Sequence, residues 1–235
     1  MRVVEIRRYP VKAMAGESVE SVLVDERGLD GDRWYAVWDD EGRMATGKDS
    51  RRFRRRDGIF DFRARTTPDG VRIEGLDAEV DGWTVGDPVL DEALGRHLGA
   101  PVRVLPEAGI SHQDAAPVSI IGTASLDWCR EHLDVDADVR RLRTNLVVAT
   151  TEPFVEEKWA GRTLRVGEVE LEVSRRTERC RMVDVAQTAC QSSTAGSSPS
   201  GASASCASGC TPRSALPEPS TEVASSTCGR ETLPR

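Results

Sequence analysis

Apolar and charged residues alternate along most of this chain up to about Gln187, with the two-residue period of half-buried strands. Val4 and Ile6 stand between charged neighbours and predict a first strand. Pro10 lacks the N–H that a ladder needs and ends it, so Lys12 falls just past a strand end, where a side chain can enter a site. Gly16 predicts a turn, and Glu17 to Val24 a second strand with Val19, Val22 and Val24 on its apolar side. The glycine-rich turn Gly28-Leu29-Asp30-Gly31-Asp32-Arg33 feeds a strand over Trp34 to Trp38. Asp39-Asp40-Glu41-Gly42 then predicts a hairpin turn that returns through Arg43 to Thr46. Phe60 to Thr66 and Val71 to Glu74 predict another hairpin around Pro68-Asp69-Gly70. Several strands joined by short turns predict an antiparallel, barrel-like N-terminal domain.

The period changes at Asp87. Leu90, Leu94 and Leu98 recur every four residues and give a helix one apolar face, with Asp87 as cap, Pro88 in the first turn and Gly99 as stop. His97, near its end, reads as a cation complementing the helix dipole rather than as a base. Strands follow at Val102 to Leu105 and Val118 to Ile121. A helix from Gly122 to Leu133 is expected to be capped by Thr123 or Ser125, with Cys129 buried inside it. Val139 to Val148 reads as a basic approach to an apolar strand, which would place Arg143 and Asn145 on one side of it. Pro153 to Trp159 suggests a short helix, and Gly161 to Val166 with Val169 to Val173 a last hairpin. The fold class predicted is mostly β with some α: an antiparallel β-barrel-like domain over 1–100, a second β-barrel domain with short helices over 101–187, and a disordered tail over 188–235.

That tail holds no aromatic residue, no Ile and no Met, and its only large aliphatics are Leu216, Val223 and Leu233. Such a segment buries too little apolar area to offset the roughly 1–2 kcal/mol of backbone entropy lost per ordered residue. Its bias toward Ser, Ala, Pro, Thr, Gly, Arg and Cys is what out-of-frame reading of a GC-rich gene yields. A frameshift near codon 188 is therefore expected, and apolar-patterned segments in another frame would reveal it.

The formal net charge of −7 argues against a general nucleic-acid binder. No run of about 18 apolar residues could span a bilayer, and the first residues lack an apolar signal core. Of six cysteines, only Cys129 and Cys180 lie in the patterned part, so a reduced, cytoplasmic setting is the simplest expectation. Cys206 and Cys210 could ligate a metal, but they lack a second pair. The cluster Arg51-Arg52-Phe53-Arg54-Arg55-Arg56 is either a solvated edge or a rim that attracts an anionic ligand.

The sharpest chemical signal is Arg175-Arg176-Thr177-Glu178-Arg179-Cys180-Arg181. Neighbouring cations favour the thiolate, which attacks electrophiles and ligates soft metals. The plainer alternative is a buried, inert Cys180 among solvated arginines. Arg143 and Asn145 could grip a phosphate or a heterocycle edge, or simply cap a strand. No iron–sulfur cysteine set and no GxGxxG loop are present, so electrons for a redox reaction would come from outside.

In order and spacing, Tyr9-Pro10-Val11-Lys12, Gly31-Asp32-Arg33, Asp114-Ala115-Ala116-Pro117, Arg143-Thr144-Asn145, Pro153-Phe154 with Trp159, and Glu178-Arg179-Cys180 resemble MOSC-domain proteins with the N-terminal MOSC β-barrel domain. MOSC denotes the molybdenum cofactor sulfurase C-terminal type, and the amidoxime-reducing proteins are of this kind. The resemblance runs from about Met1 to Gln187. It implies a molybdenum cofactor (molybdopterin) whose metal is held by Cys180, the expected catalytic residue. It implies that Lys12, Arg33, Arg143, Asn145 and Arg179 hold the pterin phosphate and ring edges. The implied reaction is two-electron reduction of N-oxygenated or N-hydroxylated small molecules, with electrons from a separate protein. A cofactor or sulfur carrier using Cys180, and an inactive remnant, are the alternatives. Ala13 stands where relatives often carry serine, and the chain leaves no room for a pyridoxal-phosphate sulfurase domain.

Overall fold

The computed structural model describes residues 1–76, 82–133, 137–177, 185 and 187, together with the backbone of two strands at 207–212 and 231–234. The first strands are β1 (Val3–Arg8), β2 (Glu17–Val19), β3 (Ser21–Asp25), β4 (Gly28–Leu29), β5 (Tyr35–Asp39), β6 (Met44–Thr46) and β7 (Phe53–Arg55). A 3-10 turn at Asp57–Asp61 leads to β8 (Phe62–Thr67), β9 (Gly70–Gly75) and β10 (Trp83–Thr84), and helix α1 spans Pro88–Leu98. Then come β11 (Val102–Pro106), β12 (Val118–Gly122), α2 (Thr123–His132), α3 (Val139–Leu142) and β13 (Leu146–Val148). A second 3-10 turn at Val155–Trp159 precedes β14 (Thr163–Val166) and β15 (Val169–Thr177); β16 (Ala207–Pro212) and β17 (Glu231–Pro234) follow. The fold is mostly β with three short α-helices among the described residues, as the alternation predicts.

The largest sheet has the order β14-β15-β16-β12-β13-β1-β2. Its strands are antiparallel except β12 and β13. The first strand of the chain thus sits in the sheet of the C-terminal half, with Ile6 opposite Leu146. The exchange is mutual, because β11, from beyond α1, pairs with β5 in the sheet β11-β5-β6-β7. Two main cores result, and each draws residues from both sides of residue 100. One packs Val11, Met14, Val37, Ile59, Phe60 and Ile73 against Leu90 and Leu94 of α1. The other packs Val3, Ile6, Val22 and Val24 against Val118, Ile120, Leu146, Val148 and Leu171.

Several local expectations shift for identifiable reasons. In β1 a register irregularity between Val3 and Glu5 turns Val3 inward and leaves Val4 exposed. The stretch read as one strand from Glu17 divides into β2 and β3 at Glu20. Helix α1 is capped as expected, the Asp87 carboxylate accepting from Val89 N at 2.9 Å and Gly99 closing the end at φ 69°. Helix α2 is not capped by Thr123 or Ser125. Its N-terminal amides are met from another segment: Gly122 N donates to Glu156 at 3.1 Å and Ala124 N to Thr150 Oγ1 at 3.1 Å. Cys129, inside α2, is buried, as expected.

The tail, predicted to be disordered, contributes two strands to the described residues. β16 lies between β12 and β15, and β17 pairs with β3. A ladder bonds through backbone N–H and C=O, so it can recruit a segment that lacks a hydrophobic pattern. Cys206 and the rest of the tail lie outside the described residues.

The turn at Gly28 carries a prediction. Its φ is +112°, and a Cβ there would stand 2.7 Å from the Pro117 carbonyl oxygen. Gly28→Ala combines an unfavourable backbone with a contact against main chain, and should cost about 3 kcal/mol in urea unfolding. A loss below about 0.5 kcal/mol would mean that the turn and the Pro117 segment move apart freely.

Candidate functional site

Four chain segments meet at one end of the large sheet. They are the residues after β1, the turn before β5, the connection from β11 to β12, and the end of α3. Tyr9, fully buried, stands at the centre. Its N–H donates to Asp32 Oδ1 at 2.8 Å, its carbonyl accepts from Arg33 N at 2.7 Å, and its hydroxyl donates to the Thr144 carbonyl at 3.3 Å. These bonds tie three of the four segments together at one residue.

Two guanidinium groups lie against its ring, and a buried lysine stands beside them. The Arg143 guanidinium carbon lies 4.5 Å from the centre of the Tyr9 ring and that of Arg33 at 5.2 Å; both are within cation–π reach. Lys12 Nζ donates to the His112 carbonyl at 2.6 Å and pairs with Asp114 at 3.0 Å. Its side chain is 4% exposed, whereas that of Asp114 is 49% exposed, so Lys12 lies inside and its counter-ion sits at the mouth.

The electrostatics record the crowding. Burial pulls Lys12 down to about 8; Asp114 opposes this, and Arg33 and Arg143 add to it. Burial and then Arg33 bring Arg143 down to about 10. Burial opposes the ionisation of Asp114, but Lys12 more than compensates and holds it below the usual carboxylate range. Arg33 pairs with buried Asp32 and donates to the Arg143 carbonyl at 3.3 Å. Arg143 donates through Nη1 to the carbonyls of Ala13 and Met14, and its buried Nη2 has no hydrogen-bond partner among the described residues. Ala13, Arg33 and Arg143 all adopt positive φ, at 69°, 54° and 55°. Non-glycine residues in that region cost of order 1 kcal/mol or more each, and they persist where surrounding contacts enforce them.

The placement of Arg143 differs from the expected strand. Val139–Leu142 forms the short helix α3, capped by Asp138, and Arg143 is its left-handed terminus. Strand alternation therefore does not govern Arg143 and Asn145, and they part company. Asn145 is buried in the sheet. Its Oδ1 accepts from Ser119 N at 3.2 Å and Ser119 Oγ at 3.0 Å, and its Nδ2 donates to the Arg7 carbonyl at 3.2 Å. Lys12, Arg33 and Arg143 are brought together; Asn145 frames the strands beside them. Arg179 and Cys180 lie outside the described residues. On either side of that stretch, β15 ends at Thr177, and the Val185 carbonyl accepts from Arg141 at 2.9 Å, two residues before Arg143.

Other residues of the site carried little or no signal in the sequence. His112 is buried, with Nδ1 3.2 Å from the Arg33 carbonyl and Nε2 unpartnered among the described residues. Burial keeps it below the ordinary histidine range. Nothing in its polar stretch Ser111-His112-Gln113 predicts an interior position. The basic cluster divides. Arg54 pairs with Glu41 and Arg55 with Asp57 at the surface. Arg52 and Lys48, however, share the Phe53 ring with Lys12, at 5.3, 4.8 and 5.1 Å.

A cradle of three cations with an unpartnered guanidinium nitrogen suits an anionic group such as a phosphate ester. No cluster of three or more His, Cys, Asp or Glu that could hold a metal ion occurs among the described residues. For a phosphate-bearing metal cofactor, these residues fit the phosphate end, and the attachment of a metal would fall to a thiolate elsewhere.

Two family models match the chain. Residues 1–55 match the MOSC N-terminal beta barrel domain and residues 97–208 match the MOSC domain, the second match running past Gln187 into the tail. The chain belongs to the MOSC-domain proteins that carry this N-terminal domain, a family associated with the molybdenum cofactor. A particular relative is the Mitochondrial amidoxime-reducing component 1 of Danio rerio, 39% identical over 62 residues. That alignment takes in 26% of this chain and 18% of the relative, so the chain spans less than a fifth of that protein's length. No helix among the described residues is long and apolar enough to cross a membrane.

Proposed function

We propose that this chain binds the molybdenum cofactor and acts as an oxidoreductase on N-oxygenated or N-hydroxylated small molecules, drawing electrons from a separate protein. The observation that carries the reading is the convergence of Lys12, Arg33 and Arg143 on one buried spot, with Arg143 Nη2 left unpartnered among the described residues. Folding gathers like charges at a cost in free energy, and an anionic ligand relieves it. In this reading Lys12 and Arg143 bind the phosphate, while Arg33, fixed by Asp32, closes its side. Asp114 stands in for the anion at Lys12 until the ligand arrives. Arg179 is a further residue that would hold the pterin, and Cys180 would supply the thiolate to the metal. The cofactor supplies two-electron chemistry; the chain binds it, orients it and keeps water from its anionic end. The likeness to an amidoxime-reducing protein supports the choice of substrate class.

The test is the metal and pterin content of the purified chain, with reduction of an N-hydroxylated amidine by a supplied donor. Molybdenum and pterin in equal amounts with turnover is the expected result, and Cys180→Ser should lower metal content severalfold while the protein stays folded. Cofactor bound without turnover would replace this reading with a cofactor or sulfur carrier. Folded protein free of both, after expression with ample molybdenum, would defeat both readings.

A further inference from the structure

Tyr9 stands in no part of the ligand set just proposed, yet its ring is the one surface that Arg33 and Arg143 share. Two guanidinium groups side by side repel, and each needs something to hold it. Arg33 has the carboxylate of Asp32. Arg143 has no ion pair among the described residues; it has two carbonyls on one edge and the Tyr9 ring at 4.5 Å. A third guanidinium, Arg7, lies 6.0 Å from the same ring, already paired with Glu5 at 2.5 Å. The negative faces of an aromatic ring attract a cation without using its N–H groups. A carboxylate at that position would neutralise Arg143 and compete with an incoming anion; a ring holds the guanidinium and leaves its N–H edge free. The left-handed backbone at both Arg33 and Arg143 aims the two side chains at this ring from separate segments.

We infer that Tyr9 is a positioning residue, an aromatic platform that holds Arg33 and Arg143 together with their charge intact and their N–H edges available to an anionic ligand. This rests on the cradle being an anion site, as proposed above. The hydroxyl engages the Thr144 carbonyl at 3.3 Å and Arg7, neither of them one of the two paired guanidiniums, so the ring and not the phenol carries the role.

The test uses the full chain and inorganic phosphate, read both by calorimetric titration and by the phosphate-induced rise in Tm. Tyr9→Phe keeps the ring and should bind within about twofold of wild type. Tyr9→Met keeps much of the volume without a π face and should bind about tenfold more weakly, a single cation–π contact at a desolvated site being worth roughly 1–2 kcal/mol. Fluorinated phenylalanines at position 9 keep the shape while draining the face of negative charge. Affinity should fall in step with the number of fluorines, which also covers the case in which Tyr9→Met does not fold. A purely packing role predicts lower Tm for Tyr9→Met with unchanged phosphate affinity and no fluorine trend, and that pattern would overturn the inference while sparing the anion site. Wild-type protein indifferent to phosphate would overturn the anion site and this inference with it.

Discussion

Replacing Arg143 with methionine should weaken phosphate binding roughly 10- to 100-fold, since a charge-assisted hydrogen bond contributes about 1.5–3 kcal/mol. It should also leave the phosphate-free protein at least as stable as wild type. The second half is the unusual part. Burial and the neighbouring Arg33 hold Arg143 down to about 10, well below the ordinary arginine range, so the folded state disfavours its charge. A base held down in this way destabilises the fold at every pH below about 10, and the penalty is relieved only as pH rises from there toward the ordinary arginine range. At neutral pH the penalty is fully present, and methionine removes it at similar length, at the loss of bonds to the Ala13 and Met14 carbonyls. Lys12 obeys the same sign. Between about 8 and 10.5 the unfolded chain holds more protons than the folded one, so phosphate-free stability rises with pH across that window. Phosphate affinity falls over the same window as Lys12 loses its proton. Thermal melts over phosphate and pH series check both. An Arg143→Met protein that melts well below wild type without phosphate yet binds phosphate normally would recast Arg143 as a structural clip.

Asn145→Ala should do the opposite, costing about 3–5 kcal/mol of stability with little effect on phosphate affinity in whatever fraction stays folded. Its amide answers three polar groups: the N–H and hydroxyl of Ser119 in β12, and the carbonyl of Arg7 in β1. Removing it leaves those groups buried without it, at roughly 1–3 kcal/mol each before relaxation. Because Asn145 joins β1 to β12 just ahead of β13, the damage should appear as fast hydrogen exchange along β1. Denaturant unfolding and exchange rates measure it. If Asn145→Ala unfolds like wild type but loses phosphate, then the amide faces the ligand and the bonds to Ser119 and Arg7 are incidental.

What the sequence made legible follows the range of the interactions. The hairpin β8–β9, the hairpin β14–β15 and helix α1 rest on neighbours a few residues apart, so alternation, turn residues and caps announce them. The cap of α2 comes from Glu156 and Thr150, more than two dozen residues away, and no local pattern carries that. The bulge in β1 depends on its pairing with β13; the short helix before Arg143 is the exception, because its Asp138 cap is local. At the site, Lys12 was marked by a strand end, and Arg33 by the family resemblance. Tyr9 stood in a quoted motif but with no role, and His112 was not marked, because a buried aromatic and a buried imidazole look in the sequence like any other tyrosine and histidine. Cys180, the sharpest signal in the sequence, falls outside the described residues.

The exchange of strands between the halves bears on how the chain is made. β1 is made long before its partner β13, which ends at Val148, and until then its only neighbour in the large sheet is the short β2. At about 5–20 residues per second, its other edge waits on the order of ten seconds to be covered. Throughout that delay Ile6 and Tyr9 have no interior to enter, so a nascent chain is most open to capture by chaperones, or to pairing with the wrong neighbour, until synthesis has passed Val148.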